Sequence, residues 1–216
     1  MEYSRPLPDY LVTRYRGWKA TKYAADKSWF QHLARDGQHP RAMVISCCDS
    51  RLHVTSIFGA DQGEFFIHRN IANLVPPFSP DGTYHGTSAA VEYAVTALKV
   101  AHLVVLGHSN CGGVRACLDM CAGNAPDLEQ KSSFIGQWLD ILRPKVALLP
   151  PKATAAARQA ALERQSVLAS LENLMTFPFV RDAVLSEGLT LHGVWHDIGA
   201  GALEVFDPLL DAFAEI

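Results

Sequence analysis

The residues with the most chemical reach fall in two short segments far apart in the chain, Cys47-Cys48-Asp49-Ser50-Arg51 and Gly107-His108-Ser109-Asn110-Cys111-Gly112-Gly113. Together they offer one thiolate, then an imidazole and a second thiolate three residues apart. Two Cys and one His form a soft three-ligand set that suits Zn²⁺ and leaves one tetrahedral position open. An open position on zinc goes with catalysis more often than with scaffolding. The first segment also places a carboxylate and a guanidinium, Asp49 and Arg51, beside the metal.

Each piece taken alone has a plainer reading. A lone Cys at a strand end is usually a small buried hydrophobe. A Gly-rich turn after a strand can hold phosphate at a helix N-terminus. Residues 107–113, however, carry neither Gly-x-Gly-x-x-Gly nor a Lys-Ser/Thr pair. Asp49 and Arg51 could be a structural ion pair, a role compatible with catalysis. The joint occurrence of both segments favours zinc over these alternatives. Cys117 and Cys121, four apart on a predicted helix, read as buried or idle thiols. His53, His68, His85 and His196 are candidate proton carriers near neutral pH, and none is singled out.

The elements that must position these residues alternate. Residues 42–46 and 102–106 are short apolar runs, readable as strands buried on both faces, and 64–68 is a further strand. Helical patterns cover 52–58, 86–98, 113–120, 134–142 (ended by Pro144), 153–175 and 179–186 (closed by Gly188). Residues 189–195 and 203–206 are two late strands around Gly199-Ala200-Gly201, expected as a hairpin at one sheet edge. This order predicts an α/β fold with a mainly parallel central sheet flanked by helices. Both chemical segments follow a strand directly, at the carboxyl ends where open α/β sheets place ligand sites. If those strands are neighbours, their ends lie about 5 Å apart.

Ahead of the first strand, residues 9–36 read as helix with Leu11, Tyr15, Trp18, Tyr23, Trp29, Phe30 and Leu33 at helical spacing and Gly37 as the stop. So aromatic an arm needs a surface to cover, on its own domain or on a partner subunit. The 216 residues suit a single domain, 1–216, with residues 1–37 as this arm. A net charge of −3 gives no basic footprint for nucleic acid. No apolar stretch approaches the roughly 18–20 residues of a membrane span. The first residues, Met1 to Pro6, lack the apolar core of a secretory signal, so a cytoplasmic protein is expected. Five Cys, two of them adjacent, suit metal binding better than a disulfide framework.

At this point the chain resembles the β-class carbonic anhydrases. That family carries Cys-x-Asp-x-Arg, here Cys47, Asp49 and Arg51, and His-x-x-Cys followed by Gly-Gly, here His108, Cys111, Gly112 and Gly113. The likeness continues through residues 66–73, 90–95 and 191–193 and covers roughly residues 9–207. The resemblance implies that Cys47, not Cys48, joins His108 and Cys111 in holding one Zn²⁺ per subunit. It implies Asp49 and Arg51 as a catalytic dyad, and Gln38, Phe66, Ile71, Tyr93 and Gly112 as the lining of the substrate pocket. It further implies a homodimer or higher homo-oligomer, with the N-terminal helices wrapped on the partner.

The implied activity is reversible hydration of CO₂ to bicarbonate and a proton, by zinc-bound hydroxide that the Asp/Arg dyad orients. Two thiolates and a neutral imidazole cancel the zinc charge, so activity should rise toward alkaline pH. Members with bicarbonate inhibition use a Trp, Arg and Tyr trio; here the matching positions are Val44, Arg69 and His196, so no such trapping is expected. Two other readings share these motifs. One is hydrolysis of carbonyl sulfide or carbon disulfide on the same scaffold. The other is a non-catalytic, zinc-stabilised binding or redox module, against which Asp49 and Arg51 argue.

Overall fold

The computed structural model describes residues 3–81 and 85–216. Met1 and Glu2, which entered the reading of a secretory signal, lie outside the described residues. The chain divides into two compact units, Met1–His39 and Pro40–Ile216.

The first unit is helical. Helix α1 (Asp9–Trp18) runs into one π-helical turn (Lys19–Tyr23), and α2 (Lys27–Asp36) follows a turn at Asp26. The predicted single helix is therefore two, and Gly37 ends the second at φ 78°, a conformation that favours glycine. Trp18, Tyr23 and Phe30 stack in a small cluster with ring centroids 5.2 to 5.5 Å apart. Tyr10, Tyr15 and Trp29 are exposed, and no residue of either helix is buried.

The second unit is the α/β body. In chain order it contains β1 (Ala42–Cys47), α3 (Val54–Ile57), β2 (Phe65–Asn70), α4 (Gly86–Glu92), β3 (His102–His108), α5 (Gly112–Cys121), α6 (Phe134–Leu139), α7 (Arg143–Val146), α8 (Ala155–Leu174), α9 (Pro178–Asp182), β4 (Thr190–His196), β5 (Leu203–Asp207) and β6 (Ala212–Glu215). The sheet order is β2-β1-β3-β4-β5-β6. The first four strands are mutually parallel, and β5 and β6 are antiparallel to their neighbours.

Why these residues make strands is plain at the centre. All six residues of β1 are buried, as a strand covered on both faces requires. Met43, Ile45, Leu103 and Val105 point to one core, which α4, the π-helical turn after it (Tyr93–Ala97) and α9 cover with Val91, Ala94 and Val180 respectively. Val44 and Leu106 point to the other, under α5 and α6 with Val114, Cys117 and Leu139. The result is a sheet between two helical layers. Two helices begin on side-chain caps: Ser133 Oγ accepts Gly136 N–H at 3.0 Å, and Thr154 Oγ1 accepts Ala157 N–H at 3.2 Å.

Three details depart from the sequence expectation. Pro144 does not end a helix but starts α7, where a missing N–H costs nothing. The late hairpin, β4 with β5, is present, yet β4 lies inside the sheet and β6, unforeseen, forms the edge beyond β5. Strands β1 and β3 also run further toward their carboxyl ends than their apolar cores. Pairing with neighbours carries them on: Cys48 N–H donates to Asn70 O at 2.8 Å, and Ser109 N–H to His196 O at 2.9 Å.

Candidate active site

Because β1 and β3 are direct neighbours in register, their last residues, Cys47 and His108, emerge side by side. Beyond Cys47 the chain turns sharply. Asp49 makes that turn with its own groups: its Oδ1 accepts Arg51 N–H at 3.0 Å, and its carbonyl accepts Leu52 N–H at 3.0 Å. Arg69, on β2, then fastens the turn. Its Nε donates to Cys47 O at 2.9 Å, and its Nη2 to Asp49 O at 2.7 Å and Leu52 O at 2.9 Å. Beyond His108, Asn110 takes a left-handed conformation (φ 55°), and Cys111 becomes the residue from which α5 starts.

The three ligand atoms of Cys47, His108 and Cys111 all lie within 4.8 Å of one another, and all three residues are buried. The two sulfurs are 3.8 Å apart. Nδ1 of His108 faces Ser109 O at 2.9 Å, which makes it the protonated nitrogen and leaves Nε2 with a lone pair. That Nε2 is buried and has no hydrogen-bond partner. Ser109 is itself pinned: its Oγ donates to Asp197 Oδ1 at 3.3 Å and accepts Ile198 N–H at 2.9 Å.

These residues fit zinc on their own geometry. Two sulfurs each about 2.3 Å from a tetrahedral ion stand about 3.8 Å apart, the separation found. The orphaned imidazole nitrogen supplies the third donor. The Cys111 S–H and then His108 stabilise a Cys47 thiolate against its burial and lower its pKa. Hydrogen bonding to Cys47, and burial, raise that of Cys111. Burial alone would lower His108, but the Cys47 thiolate beside it outweighs that and raises it. A divalent cation ionises both thiols and keeps the imidazole neutral.

Asp49 stands next to this set and outside it. Its Oδ2 is 4.0 Å from His108 Nε2. Arg51 grips the carboxylate in a fork, Nε to Oδ1 at 2.9 Å and Nη2 to Oδ2 at 2.7 Å. The guanidinium holds the Asp49 carboxyl well below the usual carboxylate range. The same Nη2 donates to Asn110 O at 3.0 Å, so Arg51 joins the two ligand-bearing segments.

Residues 42–203 match the family model described as carbonic anhydrase. Among curated proteins, beta carbonic anhydrase 3 of Arabidopsis thaliana is 33% identical over 194 residues, 88% of this chain and 73% of that one. The chain belongs to the β-class carbonic anhydrases. It is a carbonate dehydratase. Two solved structures bear out the fold: the β-carbonic anhydrase CcaA (TM-score 0.87, 27% identity, 96% of this chain and 91% of that one) and a tetrameric β-carbonic anhydrase of Sordaria macrospora (TM-score 0.77, 31% identity, 95% and 98%).

The expected pocket residues of this carbonic anhydrase are placed unevenly. Ile71 lies against the metal-side turn: a Cβ on Gly113 would stand 2.7 Å from Ile71 Cγ2. Trp138 Nε1 donates to Ile71 O at 2.8 Å and fixes it there. Beside Gly112 a Cβ would meet nothing within 4 Å, so the space there is open. Phe66 and Tyr93 pair with each other, ring centroids 5.8 Å apart. Phe66, however, is four residues back along β2 from Asn70, the partner of Cys47, or about 13 Å down the strand. The register thus sets Phe66 well away from Cys47 of its own chain. Gln38, in the first unit, is exposed and follows Gly37 at the end of α2.

Sequence reasoning missed Trp138 and Glu163, and it named Arg69 only as one position of the bicarbonate trio, not as the fastener of the turn; all three hold the site from outside. Glu163, buried on α8, accepts Cys111 N–H at 3.1 Å, and burial pushes its carboxyl pKa up. The signal for it was available: a carboxylate on the same helical stripe as Ser166, Val167 and Ser170, all buried. None of the described helices is long and apolar enough to cross a membrane.

Proposed function

We propose that Cys47, His108 and Cys111 hold one zinc ion per subunit, and that Asp49 and Arg51 aim the nucleophile at CO₂. The observation that carries this reading is the convergence of two thiols and a bare imidazole nitrogen beside a carboxylate that its own arginine keeps off the ligand set. Zinc, when bound, supplies a Lewis acid that makes water a nucleophile near neutral pH. Asp49, ionised and gripped by Arg51, only accepts hydrogen bonds. It therefore takes the O–H of the nucleophile and turns an oxygen lone pair away from itself. Ile71 and the open space beside Gly112 offer an apolar berth to a linear, uncharged substrate. Arg51 orients Asp49, and Arg69 keeps the turn beneath it from shifting.

Stopped-flow CO₂ hydration with zinc analysis, run beside an assay for sulfide release from carbonyl sulfide and carbon disulfide, tests this. Expected are one zinc per chain, CO₂ hydration rising toward alkaline pH, and an Asp49→Ala variant that keeps zinc but loses about 100-fold in kcat. Unchanged hydration in Asp49→Ala would reduce the metal to a structural staple. Sulfide release outrunning CO₂ hydration would move the substrate.

The same reading covers assembly. Gln38, Phe66 and Tyr93 line the pocket of a partner subunit in a homodimer or larger homo-oligomer, with the aromatic arm packed on the partner. The distance of Phe66 from its own Cys47 supports this, as does the tetrameric Sordaria macrospora relative. Removing residues 1–37 should give a monomer of low activity in sedimentation and rate measurements; an active monomer refutes it. Five free thiols suit a reducing, cytoplasmic setting.

A further inference from the structure

We infer that Glu163 is a positioning residue for this site, clamping the peptide unit between Asn110 and Cys111 on the side opposite Arg51. The inference rests on the reading of Cys47, His108 and Cys111 as zinc ligands. Both ends of that one peptide are held. Its carbonyl, Asn110 O, accepts Arg51 Nη2 at 3.0 Å; its amide, Cys111 N–H, donates to Glu163 Oε1 at 3.1 Å. One holder belongs to the dyad that orients Asp49, and the other comes from a different helix. Fixing the peptide plane fixes two things at once: the direction in which Cys111 sends its sulfur, and the anchor against which Arg51 grips Asp49.

Several features say that this contact is more than packing. Glu163 is only 2% exposed. Among the described residues no cation forms an ion pair with it. Gln159 Nε2, a neutral donor, reaches the same oxygen at 3.2 Å. A buried carboxyl without a cation is a costly way to fill a helix stripe. The backbone is also arranged so that α8 can come this close. A Cβ on Gly107 would stand 2.8 Å from Val167 Cγ2 and 3.4 Å from Glu163 O, and one on Gly193 would stand 2.9 Å from Leu171 Cδ1. Two glycines on adjacent strands let α8 lie directly on the sheet, one turn of helix from the metal segment. Asn110 needs the restraint, because its left-handed conformation has near alternatives reached by rotating the 110–111 peptide. The role requires an oxygen acceptor and not a charge, since a carboxylate, a carboxylic acid or an amide presents one.

The test uses the zinc-loaded enzyme and follows zinc transfer to a chelator, kcat and KM for CO₂ hydration, and the thiolate-to-metal charge-transfer band of the Co²⁺-substituted protein. Glu163→Ala should release zinc about 10-fold faster or more, shift the Co²⁺ band, and lower kcat about 10-fold with KM little changed. Glu163→Gln, which keeps an acceptor at the same place, should stay within about threefold of the parent in zinc release and kcat. Equal zinc release and an unmoved Co²⁺ band in Glu163→Ala overturn the inference, whatever happens to Tm. So does a Glu163→Gln variant as impaired as Glu163→Ala, because charge would then be what matters. If Glu163→Ala does not fold, Gln159→Leu decides: faster zinc release supports the clamp, and unchanged release overturns it. A parent enzyme holding no zinc would overturn the ligand reading itself, and the clamp with it; a zinc-loaded parent with indifferent variants overturns the clamp alone.

Discussion

Arg51→Lys separates a catalytic dyad from an ordinary surface ion pair. Arg51 reaches Asp49 through Nε at 2.9 Å and Nη2 at 2.7 Å, and the same Nη2 reaches Asn110 O at 3.0 Å. Lysine keeps the charge but has a single nitrogen on a flexible stem, so it cannot reproduce the fork. The Arg51 side chain is 51% exposed, where ion pairs are screened and weak. For a chain of this length the Tm should therefore fall by less than about 4 °C. The aim of Asp49 responds differently. Two parallel bonds fix the plane of the carboxylate; a single bond lets it swing by about 1 Å, and misplacement on that scale costs about 100-fold in rate. The expected variant retains one zinc per chain and unfolds within about 4 °C of the parent. Its kcat, by stopped-flow with a pH indicator, falls about 100-fold. A kcat within about threefold of the parent would deny the arginine any orienting role. A rate loss matched by zinc loss would show that Arg51 acts through the ligand segments instead.

Gly113→Ala should destabilise the fold by about 1–3 kcal/mol in denaturant unfolding and lower kcat/KM, because the new methyl stands 2.7 Å from Ile71 Cγ2 and 3.1 Å from Ala72 Cβ; unchanged stability and rate would mean that the apolar berth yields freely. Burial lowers the pKa of His68 and of His192, so each binds a proton less readily in the fold than in the unfolded chain, which takes up protons near pH 6.5. The unfolded state then binds more protons below that pH, so stability should decline on acidification from about 6.5, and His68→Asn should flatten the slope in urea titrations at stepped pH. Bicarbonate should inhibit without cooperativity, since Nε and Nη2 of Arg69 are committed to the carbonyls of Cys47, Asp49 and Leu52; a steep, sigmoidal loss of activity would contradict that assignment.

The sequence exposed most of what is local. A nearly all-apolar β1, the His and Cys at residues 108 and 111, and the Asp-x-Arg turn each announce themselves within a few residues; β1 is a buried strand, Cys47, His108 and Cys111 come together, and Asp49 pairs with Arg51. What depends on pairing across the chain was less legible. The apolar runs stop at Ser46 and Leu106, but hydrogen bonds from neighbouring strands carry β1 to Cys47 and β3 to His108. β6 lies at the sheet edge, where Ala212 and Ala214 give weak alternation and little β-branched signal. Phe66 and Tyr93 matched family positions one by one, yet only the strand register shows how far they stand from their own Cys47.

The residues whose roles were missed share a physical character. Arg69, Trp138 and Glu163 touch no expected ligand atom; they bind backbone, at Cys47 O, Ile71 O and Cys111 N–H respectively. A side chain that bonds a distant backbone group leaves no spacing to recognise, because its partner is the same for every residue type. The proposed ligands are Cys and His at set positions, since chemistry restricts their identity. The groups that aim them needed only a donor or an acceptor at the right place in space. A polar residue on an otherwise buried stripe, as Glu163 is on α8, is the one mark such a role leaves in a sequence. That mark says a partner exists; only the close approach over Gly107 and Gly193 says which.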